Sequence, residues 1–199
     1  MKNTRVRILS ESFKLFLSKG YREVTMKELV EKSKLSKGAF YHYFSSKEEL
    51  FKESVKAFLL EGLNVKSFTP SYMVSLAENL KNFVDFKANM FSEMQETSND
   101  NNLDTGYFTL VFQAIKLFPE IRNELISAAA NEVETLEKIF ITGIENGEVH
   151  GGLSPDWLAK LFSLMIDGAE LNSVIGGEMD SIHEKEKELV DEFCKLIGT

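Results

Sequence analysis

The sequence has one cysteine, three prolines, one tryptophan and no apolar run approaching the ~20 residues that a membrane-spanning helix needs. A single Cys194 excludes an internal disulfide and fits a reducing compartment. The opening Met1-Lys2-Asn3-Thr4-Arg5 leads into no apolar signal core, so a cytoplasmic protein with no membrane partner is expected. Catalytic constellations are missing as well. His42, His150 and His183 are scattered, no His-x-x-x-His or Cys-x-x-Cys pair occurs, and Cys194 has no base beside it. No glycine-rich phosphate loop is present. The reading is therefore of a protein that is not an enzyme and carries no metal and no cofactor.

What is present is a charge asymmetry. Residues 1–60 hold 13 Lys and Arg against 7 Asp and Glu, whereas the other 139 residues hold 10 against 24. The overall charge of −8 thus conceals a basic head on an acidic body, the footprint of a nucleic-acid-binding module attached to something with another task.

Hydrophobic periodicity is helical almost throughout, and the expected fold is all-α with about nine helices. Val6, Leu9, Phe13, Phe16 and Leu17 line one face of a first helix that stops at Gly20. Thr25-Met26-Lys27-Glu28 is a capping box opening a short second helix, and Ser36 caps a third that holds Phe40 and Phe44. Ser46-Lys47-Glu48-Glu49 is a second capping box, and it starts a helix from Ser46 to about residue 65. Thr69-Pro70 and Ser154-Pro155 read as cap-plus-first-turn pairs, and Pro119 as a helix restart. Residues 95–102 read as a loop, with further breaks at Gly147 to Gly152 and at Gly176-Gly177.

Residues 25–44 form two short helices around the tight turn Ser33-Lys34-Leu35, the arrangement of a helix-turn-helix. Its second helix needs an apolar back, supplied by Phe40 and Phe44, and an unhindered front, supplied by Ser36, Lys37, Gly38 and Ala39. Tyr41, His42 and Tyr43 flank that front with donors suited to phosphate oxygens, and Lys47 occupies the first turn of the next helix, where an anion is favoured. Thr25 and Ser46 serve as caps with or without DNA, and Tyr43 also suits a half-core position.

The block Arg5 to Phe51 resembles the DNA-binding domain of the tetracycline-repressor (TetR) family. The resemblance lies in the Gly20-Tyr21-x-x-Val24-Thr25 junction and the run Leu35-Ser36-Lys37-Gly38-Ala39-Phe40-Tyr41-His42-Tyr43-Phe44, followed by Ser46-Lys47-Glu48-Glu49-Leu50. It implies an all-helical homodimer on a palindromic double-stranded operator, released by a small molecule. By position it assigns base contacts to Lys37, Gly38 and Ala39. Phosphate contacts fall to Thr25, Met26 (through its backbone N–H), Lys27, Tyr41, His42, Tyr43 and Lys47. The division that follows is a DNA-binding domain over 1–47 and a ligand-sensing and dimerisation domain over 48–199, joined by the helix from about 46 to 65.

Beyond residue 60 the sequence is rich in Phe and Met, side chains that adapt to irregular apolar ligands. Phe83, Phe86, Met90, Tyr107, Phe108, Phe112 and Met165 are the candidate lining for a small, largely apolar inducer, and each also suits ordinary core packing. Between Trp157 and Ile175 apolar residues occupy more than one face, as a helix with two packing partners requires. Leu158, Leu161, Met165, Leu189 and Phe193 are accordingly expected at a dimer seam built from the last two helices. Asp167 interrupts the first of these and needs either solvent or a partner. The expected function is a ligand-responsive regulator, a repressor released by its inducer. The competing reading is a ligand-independent DNA-binding protein of the same fold with an architectural or cell-cycle role.

Overall fold

The computed structural model describes residues 2–98, 103–150 and 152–198. Among the described residues nine α-helices follow one another: α1 (Lys2–Glu23), α2 (Met26–Ser33), α3 (Lys37–Tyr41), α4 (Lys47–Ser54), α5 (Leu76–Ser98), α6 (Leu103–Leu117), α7 (Pro119–Glu145), α8 (Pro155–Gly176) and α9 (Ile182–Ile197). Among the described residues there is no sheet, only an isolated bridge between Val149 and Gly198. No helix is long and apolar enough to cross a membrane among those residues.

Two compact units divide the chain. The first comprises Met1–Leu63 and Met90–Ile126, and the second Asn64–Asn89 and Ser127–Thr199. In the first, Phe13 and Phe16 of α1, Leu29 of α2, Phe40, Phe44 and Phe51 pack with Leu110 and Ala114 of α6 and with Phe118. The inward face of α1 is not quite the expected one. Val6, in phase with Leu9 and Phe13, is nevertheless exposed, and Ile8 is buried on the adjoining row with Ser12 and Phe16. Gly20 does adopt a positive φ of 74°, but its ψ of 162° makes a kink, and helical geometry resumes as far as Glu23.

Beyond α4 the chain does not continue as a plain α-helix. Val55–Leu60 winds as a π-helix and Glu61–Leu63 as a 3₁₀ turn. Val55 and Leu59 are buried in this stretch, as is Phe51 before it.

The core of the second unit is formed by Leu80, Phe83, Leu136, Ile139, Phe140, Phe162, Val190 and Phe193. Phe140, Phe162 and Phe193 form an aromatic triangle with ring centroids 5.5 to 6.2 Å apart. Beside this core lies a charged cluster. Lys87 of α5 donates to Glu132 of α7 at 3.2 Å and lies 3.7 Å from Glu170 and 3.9 Å from Asp167, both on α8. Asp167 therefore has both solvent and a partner, since its side chain is 58% exposed. Burial pulls the Lys87 ammonium down, and the charges of Glu170, Glu132 and Asp167 overcome that and raise it.

Helix ends follow the local chemistry in most places. Ser154 accepts from the Trp157 N–H with Pro155 in the first turn, α7 begins at Pro119, and α8 ends at Gly176-Gly177. Pro70 starts no helix: residues 68–71 are irregular, and α5 begins five residues later, where the Ser75 hydroxyl accepts from the Glu78 N–H. The loop read over 95–102 is helical through Ser98, and residues 99–102 lie outside the described residues.

Candidate nucleic-acid interface

Local hydrogen bonds build the helix-turn-helix. Thr25 accepts from the Glu28 N–H at 3.2 Å, while the Glu28 carboxylate accepts from the Thr25 N–H at 2.8 Å, so both halves of the capping box are made. Lys19 also donates to Glu28 at 2.8 Å. That bond, followed by those from Thr25, holds the Glu28 carboxyl down to about 2. Buried Ser33 stitches the turn: its hydroxyl donates to the Val30 carbonyl at 2.7 Å and accepts from the Leu35 N–H at 3.2 Å. Lys34 takes a left-handed conformation with φ 57° and closes α2.

Ser36 then caps α3 through the Ala39 N–H at 3.3 Å. The helix is shorter than its pattern suggested, ending at Tyr41, so Phe44 falls just past its end. Phe40 and Phe44 are nonetheless both buried, because the Phe44 N–H still reaches the Phe40 carbonyl at 3.2 Å. On the opposite side Ser36, Lys37, Gly38, Ala39, Tyr41 and His42 are exposed together, with Thr25 and Lys27 exposed at the start of α2. A Cβ built on Gly38 meets nothing within 4 Å, so a ligand surface can approach this backbone closely. Tyr43 is half-buried and packs on the core, with its ring against His42.

Lys47 is placed differently from the others. Its ammonium donates to the carbonyl oxygens of Tyr21 at 2.9 Å and Val24 at 2.8 Å and lies over the Tyr21 ring. Burial lowers it from its ordinary value. The Lys47 backbone N–H lies in the first turn of α4, where N–H groups have no partner within the helix. Ser46 caps that turn through the Glu49 N–H, and the Glu49 carboxylate reaches back to the N–H and hydroxyl of Ser45, with the Ser46 N–H a weaker partner.

Sequence reasoning missed the brace behind this surface. The Tyr21 N–H donates to the Gln113 side chain at 2.8 Å, and Lys52 pairs with Glu48 and Glu120 while lying 4.7 Å over the Phe118 ring. These partners are as much as 92 residues apart, and no periodicity signals them.

The candidate ligand residues are divided between the two units. Phe83, Phe86 and Met165 pack in the second unit, with Phe83 fully inside. Met90, Tyr107, Phe108 and Phe112 belong to the first, where Tyr107 packs on the core and Phe112 is 61% exposed. Of the seam candidates, Leu158 and Phe193 point into their own chain's core, and Met165 and Leu189 are half-buried. Leu161 is exposed, and Trp157, Leu164, Leu171 and Ile175 accompany it along α8. Among the described residues no group of His, Cys, Asp and Glu is arranged to hold a metal.

The model for bacterial regulatory proteins of the tetR family matches residues 8–54. An uncharacterised HTH-type transcriptional regulator of Bacillus subtilis (strain 168), YfiR, is 30% identical over 177 residues, covering 84% of this chain and 78% of that protein. The HTH-type transcriptional repressor DhaR of Mycobacterium sp. (strain GP1) is 24% identical, over 97% of this chain and 89% of its own length. A solved regulator from Saccharomonospora viridis, in complex with choline, shares the fold with a TM-score of 0.73 at 19% identity, each chain covered completely.

Proposed function

The chain belongs to the tetR family of bacterial regulatory proteins, and on that premise we propose that it is a repressor released from a palindromic operator by a small, largely apolar inducer. The observation that carries the reading is the exposed row Ser36, Lys37, Gly38 and Ala39 on a helix whose back, Phe40, is fully buried. A helix held this way fits a major groove, with Lys37 reaching a guanine edge and Gly38 and Ala39 admitting the bases closely. Thr25, Lys27, Tyr41, His42 and Tyr43 supply phosphate contacts around it, and the Lys47 backbone N–H adds one more. Residues 1–47 are the DNA-binding domain and 48–199 the sensing and dimerising one.

One such head gives too small an interface for specific binding, so two must act together on half-sites about 34–36 Å apart. The exposed apolar residues of α8, with α9 beside it, supply the self-complementary face that a two-fold dimer needs. Repression by DhaR and the choline bound to the Saccharomonospora regulator support a repressor with a small-molecule ligand.

Selection of duplexes from a randomised pool by the purified protein tests the DNA half, and a palindromic consensus is the expected result. A thermal-shift screen of small apolar compounds then tests the inducer half. A true inducer raises the melting temperature and, by reciprocity, binds more weakly when the selected duplex is present. Inducer affinity that is the same with and without the duplex would rule out release by that compound.

A further inference from the structure

We propose that Gln113, on α6, is a positioning residue for operator recognition: its side-chain amide fixes the kinked junction between α1 and α2 and thereby the orientation of the helix-turn-helix. The inference rests on the DNA-binding reading above and deepens it.

The junction begins at Gly20, where φ 74° and ψ 162° turn the following peptide out of the helical direction. A peptide N–H redirected in this way needs an acceptor, and for Tyr21 the acceptor is Gln113 Oε1 at 2.8 Å. The same amide occupies the space beside Gly20, since a Cβ there would stand 2.7 Å from Gln113 Nε2 and 3.0 Å from Oε1. Glycine is thus favoured at position 20 by the backbone, and a side chain there would have to push the Gln113 amide aside.

Seven residues earlier on the same face of α6, Gly106 lies against the Leu17 carbonyl, where a Cβ would come within 2.8 Å of the oxygen. Two points of α6, one on each side of the kink, therefore grip the end of α1. From the opposite side Lys47 takes the Tyr21 and Val24 carbonyls. The N–H and the C=O of Tyr21 are consequently held by side chains from two different helices. Thr25, which caps α2, follows directly, so the direction in which the helix-turn-helix sets out depends on the Gln113 contact.

A fixed orientation matters for base readout and hardly at all for attraction to phosphates, which follows net charge. The test compares affinity for the duplex selected by the unmodified protein with affinity for poly(dI-dC). Gln113→Leu is expected to bind the selected duplex about ten-fold more weakly, the scale of one lost hydrogen bond, with its poly(dI-dC) affinity unchanged. Gln113→Glu keeps an oxygen acceptor for the Tyr21 N–H and is expected to restore the ratio of the two affinities. An unchanged ratio in Gln113→Leu, or equal losses on both DNAs, overturns the proposal. Should that variant fail to fold, hydrogen exchange in the unmodified protein decides. A protected Tyr21 amide supports the bond and an unprotected one overturns it. If the unmodified protein selects no duplex, the DNA-binding reading fails and this inference falls with it; if it selects one and only the Gln113→Leu comparison is negative, the inference alone fails.

Discussion

The ammonium of Lys47 lies 4.4 Å from the centre of the Tyr21 ring and donates to that residue's own carbonyl oxygen at 2.9 Å. A cation near the proposed DNA-binding face is thereby bound to the protein's own backbone. Its loss should be felt in folding before it is felt in binding.

Lys47→Met keeps the aliphatic stem and removes the ammonium. Two part-buried carbonyls lose a charged donor, and each such bond contributes about 1.5–3 kcal/mol, so a destabilisation of about 2 kcal/mol is expected after allowance for partial exposure. Urea unfolding measures it. The slope of log affinity against log salt should not change, because no phosphate loses a partner. A slope reduced by about one unit with unaltered stability would return Lys47 to the phosphate contacts.

Lys37 and Lys27 should separate base reading from phosphate attraction. Lys37→Ala is expected to relax discrimination at one operator position by about 1–3 kcal/mol. Lys27 is exposed and 3.9 Å from Glu31, so Lys27→Ala should weaken all duplexes alike and flatten the salt slope by about one phosphate. Binding assays on single-base operator variants distinguish the two, and interchanged behaviour would refute the docking face.

Glu186 carries a pH dependence. It is buried in α9, and desolvation, with Glu170 of α8 next, pushes its carboxyl up to about 8 against the pull of Lys87. His183 Nδ1 lies 3.7 Å from Glu186, Asp85 contacts both His183 and Lys187, and Lys87 also faces Glu132 and Asp167. A carboxyl raised in the folded state binds a proton there that the unfolded chain has already released. Its contribution is therefore complete below pH 4.5 and is lost as the pH climbs through about 8. Gln copies the protonated acid, so Glu186→Gln should leave the melting temperature nearly unchanged at pH 5 and raise it at pH 8.5. An equal shift at both pH values would show that the carboxyl is ionised throughout.

Replacing Leu161 and Leu164 together by Glu places like charges on the exposed apolar stripe of α8 without touching the chain's own core. Sedimentation at micromolar concentration should then report a folded monomer. A dimer that survives places the interface elsewhere.

Chemistry confined to a few neighbouring residues was legible in advance. Thr25 with Glu28, Ser36 with Ala39, and Ser154 with Pro155 each sit within one helical turn, and Phe40 and Phe44 show their burial by spacing. Gln113 and Tyr21 carry no such mark, because their meeting depends on how α6 packs against α1. Lys47 reads only as a cation in a first turn, and whether it faces solvent or the Tyr21 carbonyl is decided by tertiary packing. In α8, Leu158 and Leu161 are three residues apart in a helix apolar on several sides, so periodicity gives no means of telling the interior face from the exposed one. Pro70 fails for another reason: a proline preceded by threonine also suits an irregular connection, which is where Thr69 and Pro70 lie.

The π-helical stretch after α4 works as a phase correction. Along an α-helix, positions four apart drift by about 40° around the axis, so a stripe spaced by four slowly winds off any flat neighbour. In a π-helix the angle per residue drops to roughly 80°, and the same four-residue step falls about 30–40° short of a full turn. With these ideal angles Phe51 to Val55 advances the stripe and Val55 to Leu59 takes it back, which accounts for all three side chains being buried. A version of this segment idealised to uniform α geometry would carry Leu59 around the cylinder and away from the core, with every residue identity intact.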